Sequence, residues 1–474
     1  MKENAGSEHE TTTRPPEEDV TGGSRNKGLD MGSGPVGRTL LRLALPSMAS
    51  MLFHTLFYLV DTIFIAWLGG TPLAAASLTF PLLFISFALT NGMAVGCTAL
   101  VSRNLGANDL ASARTTARAG LILTLLLSLT TMPLLYRPFS DIFFAALGGE
   151  NMVLEECYRY NYWILLGMPL MAYSILADST FRSQGNTMVP LVSMVLGNGL
   201  NALLDPLFMF TFGWGIAGAS LATLVGRIAS ILYVASALRR SSDITLPLFP
   251  LWEPTFAVAW RRIIAVGLPV ALSQSSMSLG MAGVNKVLSM FGSDAIGAWM
   301  LGNRIEGLAF LPVFGINAAL IPFVGHNLGK GDLGRIKEGV RLAATTNTIM
   351  MLIVGALIFA FPHPLLALFR PDPEVAAMAA ASIRASVTGY VFTALDITYN
   401  GFFQGTGYTF FGMTVQIVRT LVVRAPAAYL FAALWGIDGV WWCQPLSALV
   451  AFALSLVFLA IAQKRIEKLD VPSS

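Results

Sequence analysis

Asp61 lies inside one apolar run, Leu40 to Leu68, and Asp205 inside another, Met188 to Phe212. In bilayer hydrocarbon an ionised carboxylate costs on the order of 2.5–3.5 kcal/mol by insertion scales, so an acid kept there has a use or a partner. Asn201 stands one helical turn before Asp205, and Pro206 follows directly after it. Pro206 has no N–H, which leaves the carbonyl of Ala202 free to face a cation and lets the helix bend. Two carboxylates, an amide and the hydroxyl of Thr223 make an oxygen-rich group able to hold a proton or Na⁺. An apolar setting also resists two neighbouring negative charges, which favours proton uptake. The plainer account is that each group only hydrogen-bonds a neighbouring helix.

The elements that position these groups are membrane helices. The chain has 474 residues, of which 55% are hydrophobic and 12% charged, with a mean hydropathy of +0.65. Soluble domains carry roughly 25% charged residues, so this is an integral membrane protein, and residues 38–464 are read as embedded. A net charge of +3 is too small for nucleic-acid binding. Cys97, Cys157 and Cys443 have no zinc-type spacing and are read as packing residues, and no GxxxxGK[ST] loop appears. No cofactor is implied beyond a coupling ion, and no enzyme chemistry.

An internal repeat organises the chain. Pro46 and Pro269, Gly69 and Gly292, and Asn104 and Asn327 each differ by 223 positions, a gapless match over some eighty residues. Gln184 and Gln404, and Pro206 and Pro426, differ by 220. The expected organisation is a disordered cytoplasmic tail (1–37), two six-helix lobes (38–240 and 260–464), a linker (241–259) containing Pro247, Pro250 and Pro254, and a short tail (465–474). Expected spans are 40–68, 73–102, 112–135, 160–181, 187–212 and 215–238, then 261–291, 295–326, 338–361, 379–403, 409–433 and 436–462. Six spans per lobe give both lobes one orientation, hence a pseudo-two-fold axis along the membrane normal. Lys and Arg cluster in alternate connections, at Arg103 and Arg114, Arg239 to Arg262, Lys330 to Lys337, and Lys464 to Lys468, which puts both termini in the cytoplasm.

Depth follows from the glycines at the opposite ends. Asp61 and Asp205 precede Gly69 and Gly213 by eight residues, and Thr223 follows Gly215 by eight. At 1.5 Å rise per residue all three lie roughly 12 Å below the outer surface, with Asn201 one turn deeper. The second half lacks the cluster, since Asp61 aligns with Val284 and Asp205 with Ala425. Ion coupling is therefore placed in the N-terminal half.

Other intramembrane polar residues are candidates for a substrate cavity. Asp178 and Asp396 are expected near the cytoplasmic ends of their helices, where solvation is available. His54, seven residues before Asp61, is a candidate proton relay or a packed histidine. Gln274 and Glu306 complete the set, and Glu306 or Asp396 is expected to neutralise Arg419 and Arg424.

Several motifs carry a family resemblance: Leu45–Ser47 (LPS), Val60–Thr62 (VDT), Asn104–Ala113 (NLGANDLASA), Arg182–Thr187 (RSQGNT), Asn201–Phe208 (NALLDPLF) and Asn400–Gly407 (NGFFQGTG). In this order and spacing, over 38–464, the chain resembles the multidrug and toxic compound extrusion (MATE) family, in particular its prokaryotic DinF-like branch. The resemblance implies an all-α, V-shaped exporter with about twelve helices in two lobes. Its expected activity is alternating-access antiport of organic cations or amphiphilic drugs against inward H⁺ or Na⁺. It further implies coupling residues at Asp61, Asn201, Asp205 and Thr223, which would also be the ligands of any Na⁺. Asp178 matches a position that is commonly Asn in relatives. Another branch uses acids on the seventh and tenth helices, where this chain offers Gln274 and Asp396. The expected setting is a monomer among the lipids of a prokaryotic cytoplasmic membrane. A flippase for a lipid-linked glycan or another amphiphile is the alternative, kept open by Arg419 and Arg424.

Overall fold

The computed structural model describes residues 28–247 and 255–469. The helices are α1 (Val36–Trp67), α2 (Gly70–Gly106), α3 (Leu110–Leu129), α4 (Arg137–Ala146), α5 (Met152–Leu166), α6 (Met168–Ser183), α7 (Met188–Pro206) and α8 (Gly215–Ser241). They continue as α9 (Phe256–Leu288), α10 (Ser293–Lys330), α11 (Leu333–Ala360), α12 (Pro362–Ala367), α13 (Pro373–Val387), α14 (Tyr390–Thr406), α15 (Thr409–Ile417), α16 (Ala425–Val440) and α17 (Cys443–Leu469). Among the described residues ten helices are long and apolar enough to cross a membrane. Twelve spans result when α5–α6, bent by 45°, and α13–α14, bent by 55°, are each taken as one. The bends fall at Gly167, followed by Pro169, and at Thr388–Gly389. Proline removes a helical donor and glycine loosens the backbone, so the breaks have local causes.

The duplication is visible in local backbone. Gly69 and Gly292 adopt φ 112° and 101° with ψ near 180°, a region only glycine enters at low cost, and each starts the second helix of its half. Asp109 and Asp332 both cap a helix, accepting the amides of Ser112 and Arg335 at 2.9 Å. Bilayer-spanning segments alternate direction, so one face of the bundle carries the start of α1, the α2–α3 and α10–α11 turns and the end of α17.

At this terminus-bearing face the two halves close on each other. A Cβ on Gly92 would stand 2.6 Å from the Gly267 carbonyl, and one on Gly106 would overlap His326. Only glycine permits these backbones to touch, so the α2–α9 and α2–α10 crossings are fixed by composition. One buried cluster joins Val36, Leu40, Leu43 and Ala44 of α1 to Leu320, Phe323, Ile336 and Val340 of α10 and α11. The Trp260 indole also donates to the Ala119 carbonyl at 2.8 Å across the halves. The part of α9 away from the terminus-bearing face instead packs within its own half, Gly280 against Thr420 and Gly283 against Ala425.

Two expectations are corrected. The tail expected over 1–37 ends earlier, because residues 28–35 are bound to both halves as described below; residues 1–27 lie outside the described residues. Helix α17 runs to Leu469, so the segment expected as the second tail begins as helix, with 470–474 outside the described residues. The expected span 112–135 ends at Leu129 and is followed by the short helix α4, as α11 is followed by α12. Pro138, Pro362 and Pro364 start these short helices, a punctuation overlooked in favour of hydropathy. The expected linker prolines Pro250 and Pro254 lie outside the described residues.

Candidate functional site

Ser193, Gly197, Asn201 and Asp205 recur every fourth residue on α7 and are all buried. This stripe of small and polar side chains meets the matching face of α8. Ser193 and Ser230 hydroxyls are 2.6 Å apart, and a Cβ on Gly226 would stand 2.3 Å from the Gly197 carbonyl. Close backbone approach of this kind is how membrane helices associate when no apolar driving force separates helix from lipid. It brings Asn201 onto Thr223. The Asn201 amide, Nδ2, donates to Asp205 Oδ1 at 3.0 Å and to Thr223 Oγ1 at 3.3 Å. Gly226→Ala therefore forces α8 away from α7, with an expected loss of about 1–3 kcal/mol. A detergent thermal-unfolding curve unchanged by this substitution would contradict the packing.

Asp205 is fully buried, and its Oδ2 has no hydrogen-bond partner among the described residues. Asp61 of α1 is half-buried and lies close enough for its charge to act on Asp205. Among the described residues it receives no hydrogen bond, so a proton or cation at Asp61 need displace no protein donor. A π-helical turn, Leu207–Thr211, follows Asp205–Pro206 directly, closed by the bond from Phe212 N to Leu207 O at 3.0 Å. Proline had already broken the regular ladder there, and the π turn redistributes the freed carbonyls.

Toward the far face, apolar residues roof the cluster. Ile65 and Met209 lie one turn beyond Asp61 and Asp205, and Ala219 one turn before Thr223; all are buried together with Ile216, Cys157 and Ala75. This layer excludes water from the acids on that side and so strengthens every charge inside.

Three site residues escaped sequence reading. Tyr160 of α5 lies within electrostatic reach of both Asp61 and Asp205, and Tyr58 of α1 joins it. Arg227 of α8, one turn below Thr223, stands close enough to His54 to act on it electrostatically, and makes no hydrogen bond or ion pair among the described residues. It sits inside a long apolar run, Ile216 to Leu238, which was the available signal. His54 itself is exposed and belongs below the acids, toward the terminus-bearing face.

The remaining candidates lie elsewhere. Asp178 of α6 has its Oδ1 buried without a partner among the described residues, and Arg182 one turn on is its charged neighbour. Asp396 is not solvated as expected. It is buried against Arg419 at 3.2 Å, both side chains being 7% exposed, and it accepts from Ser455 at 2.8 Å. The cause is a second π turn, Val418–Arg424, which carries both arginines inward. Arg419 also donates to Thr393 at 2.9 Å. Glu306 accepts from Gln444 at 2.7 Å and lies in the field of Arg424, which donates to Ser447 at 3.2 Å. Gln274 is half-buried on α9 and forms no hydrogen bond among the described residues. Among these candidates, Asp61 and Asp205 of the first half have no ion-paired cation among the described residues, whereas Asp396 and Glu306 of the second stand against arginines.

Among known proteins, the multidrug export protein MepA of Staphylococcus aureus is 25% identical over 446 residues, covering 93% of this chain and 96% of MepA. The probable multidrug resistance protein NorM of Thermotoga maritima is 27% identical over 419 residues, covering 86% and 88%. A solved structure described as the outward-facing conformation of a multidrug resistance MATE family transporter superposes with a TM-score of 0.87. It is 28% identical and covers 94% of this chain and 99% of that one. The MatE family model matches twice, over residues 46–207 and 269–430, one match on each repeat. The chain therefore belongs to the MatE family and is a multi-pass membrane transporter, not an enzyme.

Proposed function

We propose that the protein exports organic cations or amphiphilic drugs in exchange for inward protons, with Asp61 and Asp205 as the exchanging groups and Asn201 and Thr223 as their positioning partners. The observation that carries this reading is the unpartnered, fully buried Oδ2 of Asp205 beside a second carboxylate. Two such acids cannot both hold charge cheaply, and a proton resolves the conflict. The exported cation resolves it equally well, which makes the two ligands competitors. A ligand moves a conformational equilibrium only by its differential affinity for the two states, so competition at one site yields antiport.

The orientation of Asn201 favours H⁺ over Na⁺ in this reading. Its NH₂ group faces both Asp205 and Thr223, where a metal would require oxygens. In this reading both termini lie in the cytoplasm, which the basic connections favour, and the bacterial relatives MepA and NorM support a prokaryotic cytoplasmic membrane. The halves then meet on the cytoplasmic side, the outward-open arrangement. The protein acts as a monomer among membrane lipids, with Asp396 and Glu306 supporting the helices through their arginine network and Asp178, His54 and Gln274 as polar groups for the substrate cavity. What weighs against a lipid-linked glycan flippase is that Arg419 is neutralised by Asp396 and Arg424 stands beside Glu306, so neither is free for a phosphate.

Competition predicts that adding tetraphenylphosphonium to purified protein in weak buffer releases protons. Asp61→Asn should reduce the release, and Asp205→Asn should remove it. Tight cation binding without a pH change in wild-type protein would refute the exchange.

A further inference from the structure

Residues 28–35, which precede α1, cross the terminus-bearing face in a path that bends over Met31–Gly34. The Leu29 amide donates to the Gly185 carbonyl at 3.0 Å, on the α6–α7 turn of the first half. Gly185 has φ +76°, and a Cβ there would stand 2.2 Å from the Leu29 carbonyl oxygen, so the contact demands glycine. Every following attachment reaches the second half. Arg335 gathers three carbonyls of this stretch with one guanidinium, Nε to Met31 at 3.1 Å, Nη2 to Ser33 and Nη1 to Gly34 at 2.6 Å each. Asn327 donates to the Met31 carbonyl at 3.1 Å, and Lys330 to the Gly32 carbonyl at 2.5 Å. Met31 is 2% exposed, inserted in the cluster with Leu40, Phe323 and Val340. The Ser33 hydroxyl donates to Asp30 and holds that carboxyl below its usual range, so Asp30 stays charged and pins the turn.

We propose that residues 28–35 form a latch that fastens the two halves at this face and must detach before the transporter can open there. Opening separates the Gly185 turn from Arg335, and a strap fixed to both cannot stay bound to both. The fixings suit a reversible device, since most are backbone carbonyls held by the charged donors Arg335 and Lys330 at the edge of the bundle, each worth little alone and strong together. The strap continues into α1, which carries Asp61, so the latch and the exchanging carboxylate are ends of one element. This rests on the alternating-access reading.

The test measures distance between the halves by double electron–electron resonance, with spin labels at Ala111→Cys and Glu338→Cys, both exposed. The three native cysteines are buried. A third label at Pro35→Cys, also exposed, reports strap mobility in a separate sample. Lys330→Gln with Arg335→Gln loosens the strap from the second half, and Leu29→Pro removes the amide that reaches Gly185. Both variants are expected to raise the share of the longer Ala111–Glu338 distance on the order of tenfold, and the first to mobilise the Pro35 label. An unchanged distance distribution with a mobile strap would overturn the proposal. So would a Pro35 label immobile in the first variant. Failure of wild-type protein to transport would count against the exporter reading instead, because the distances are read without substrate.

Discussion

Replacing Asp205 with Asn is expected to abolish gradient-driven export, a fall on the order of 100-fold to the uncoupled background, while the protein stays folded. The amide oxygen of the new Asn can still accept from Asn201 as Asp205 Oδ1 does now at 3.0 Å, so the α7–α8 contact survives. What is lost is the exchangeable charge at Oδ2, the fully buried oxygen without a partner among the described residues. An isosteric neutral group cannot bind the proton on one side of the membrane and the cation on the other. Export would then follow only the cation's own gradient. Asp61→Asn is expected to be severe but milder, because Asp61 is half-buried and water can share its role. Dye export near the wild-type rate in either variant, at matched insertion, would contradict the assignment.

The second large effect is on stability. Arg419→Met leaves Asp396 buried without its cation, with an expected loss of about 3–5 kcal/mol. Asp396 keeps only the Ser455 hydroxyl, at 2.8 Å, and Thr393 loses its guanidinium partner. Arg419→Met combined with Asp396→Leu should recover most of the loss, since an apolar pair of similar volume needs no desolvation. Cys97, Cys157 and Cys443 are all buried, so a thiol-reactive dye that brightens on unfolding gives the melting curve directly. Equal destabilisation of the single and double variants would show that the pair contributes packing and not charge compensation. The double variant should also still export dye, because this network is balanced and lies in the half without the exchanging acids.

Much of this was legible in the sequence, for physical reasons that can be named. A bilayer allows backbone to cross only as a helix or a closed barrel, so apolar run length alone gave the number of spans. Duplication put Gly69 and Gly292, and Asp109 and Asp332, at fixed offsets, and each pair adopts one backbone conformation. The exchanging acids were legible because charge in hydrocarbon has few explanations. Tyr160 was not, since a tyrosine near a helix end is ordinary, and only the packing of α5 shows that it faces the acids. The solvation assigned to Asp396 failed because a depth counted along its own helix from Gly405 says nothing of the neighbouring segment, whose π turn swings Arg419 inward. The strap escaped because residues 28–35 read as more of the polar tail. Their order comes from Arg335, some three hundred positions away, which no local pattern records.

The central claim is exchange of an organic cation for a proton at Asp61 and Asp205. It is tested most directly by ethidium efflux from proteoliposomes, with a pH gradient and a Na⁺ gradient imposed separately, in wild-type protein and Asp205→Asn. The expected result is export driven by the pH gradient alone and absent in the variant. Export driven by Na⁺ at uniform pH, or pH-driven export that persists in Asp205→Asn, would contradict it.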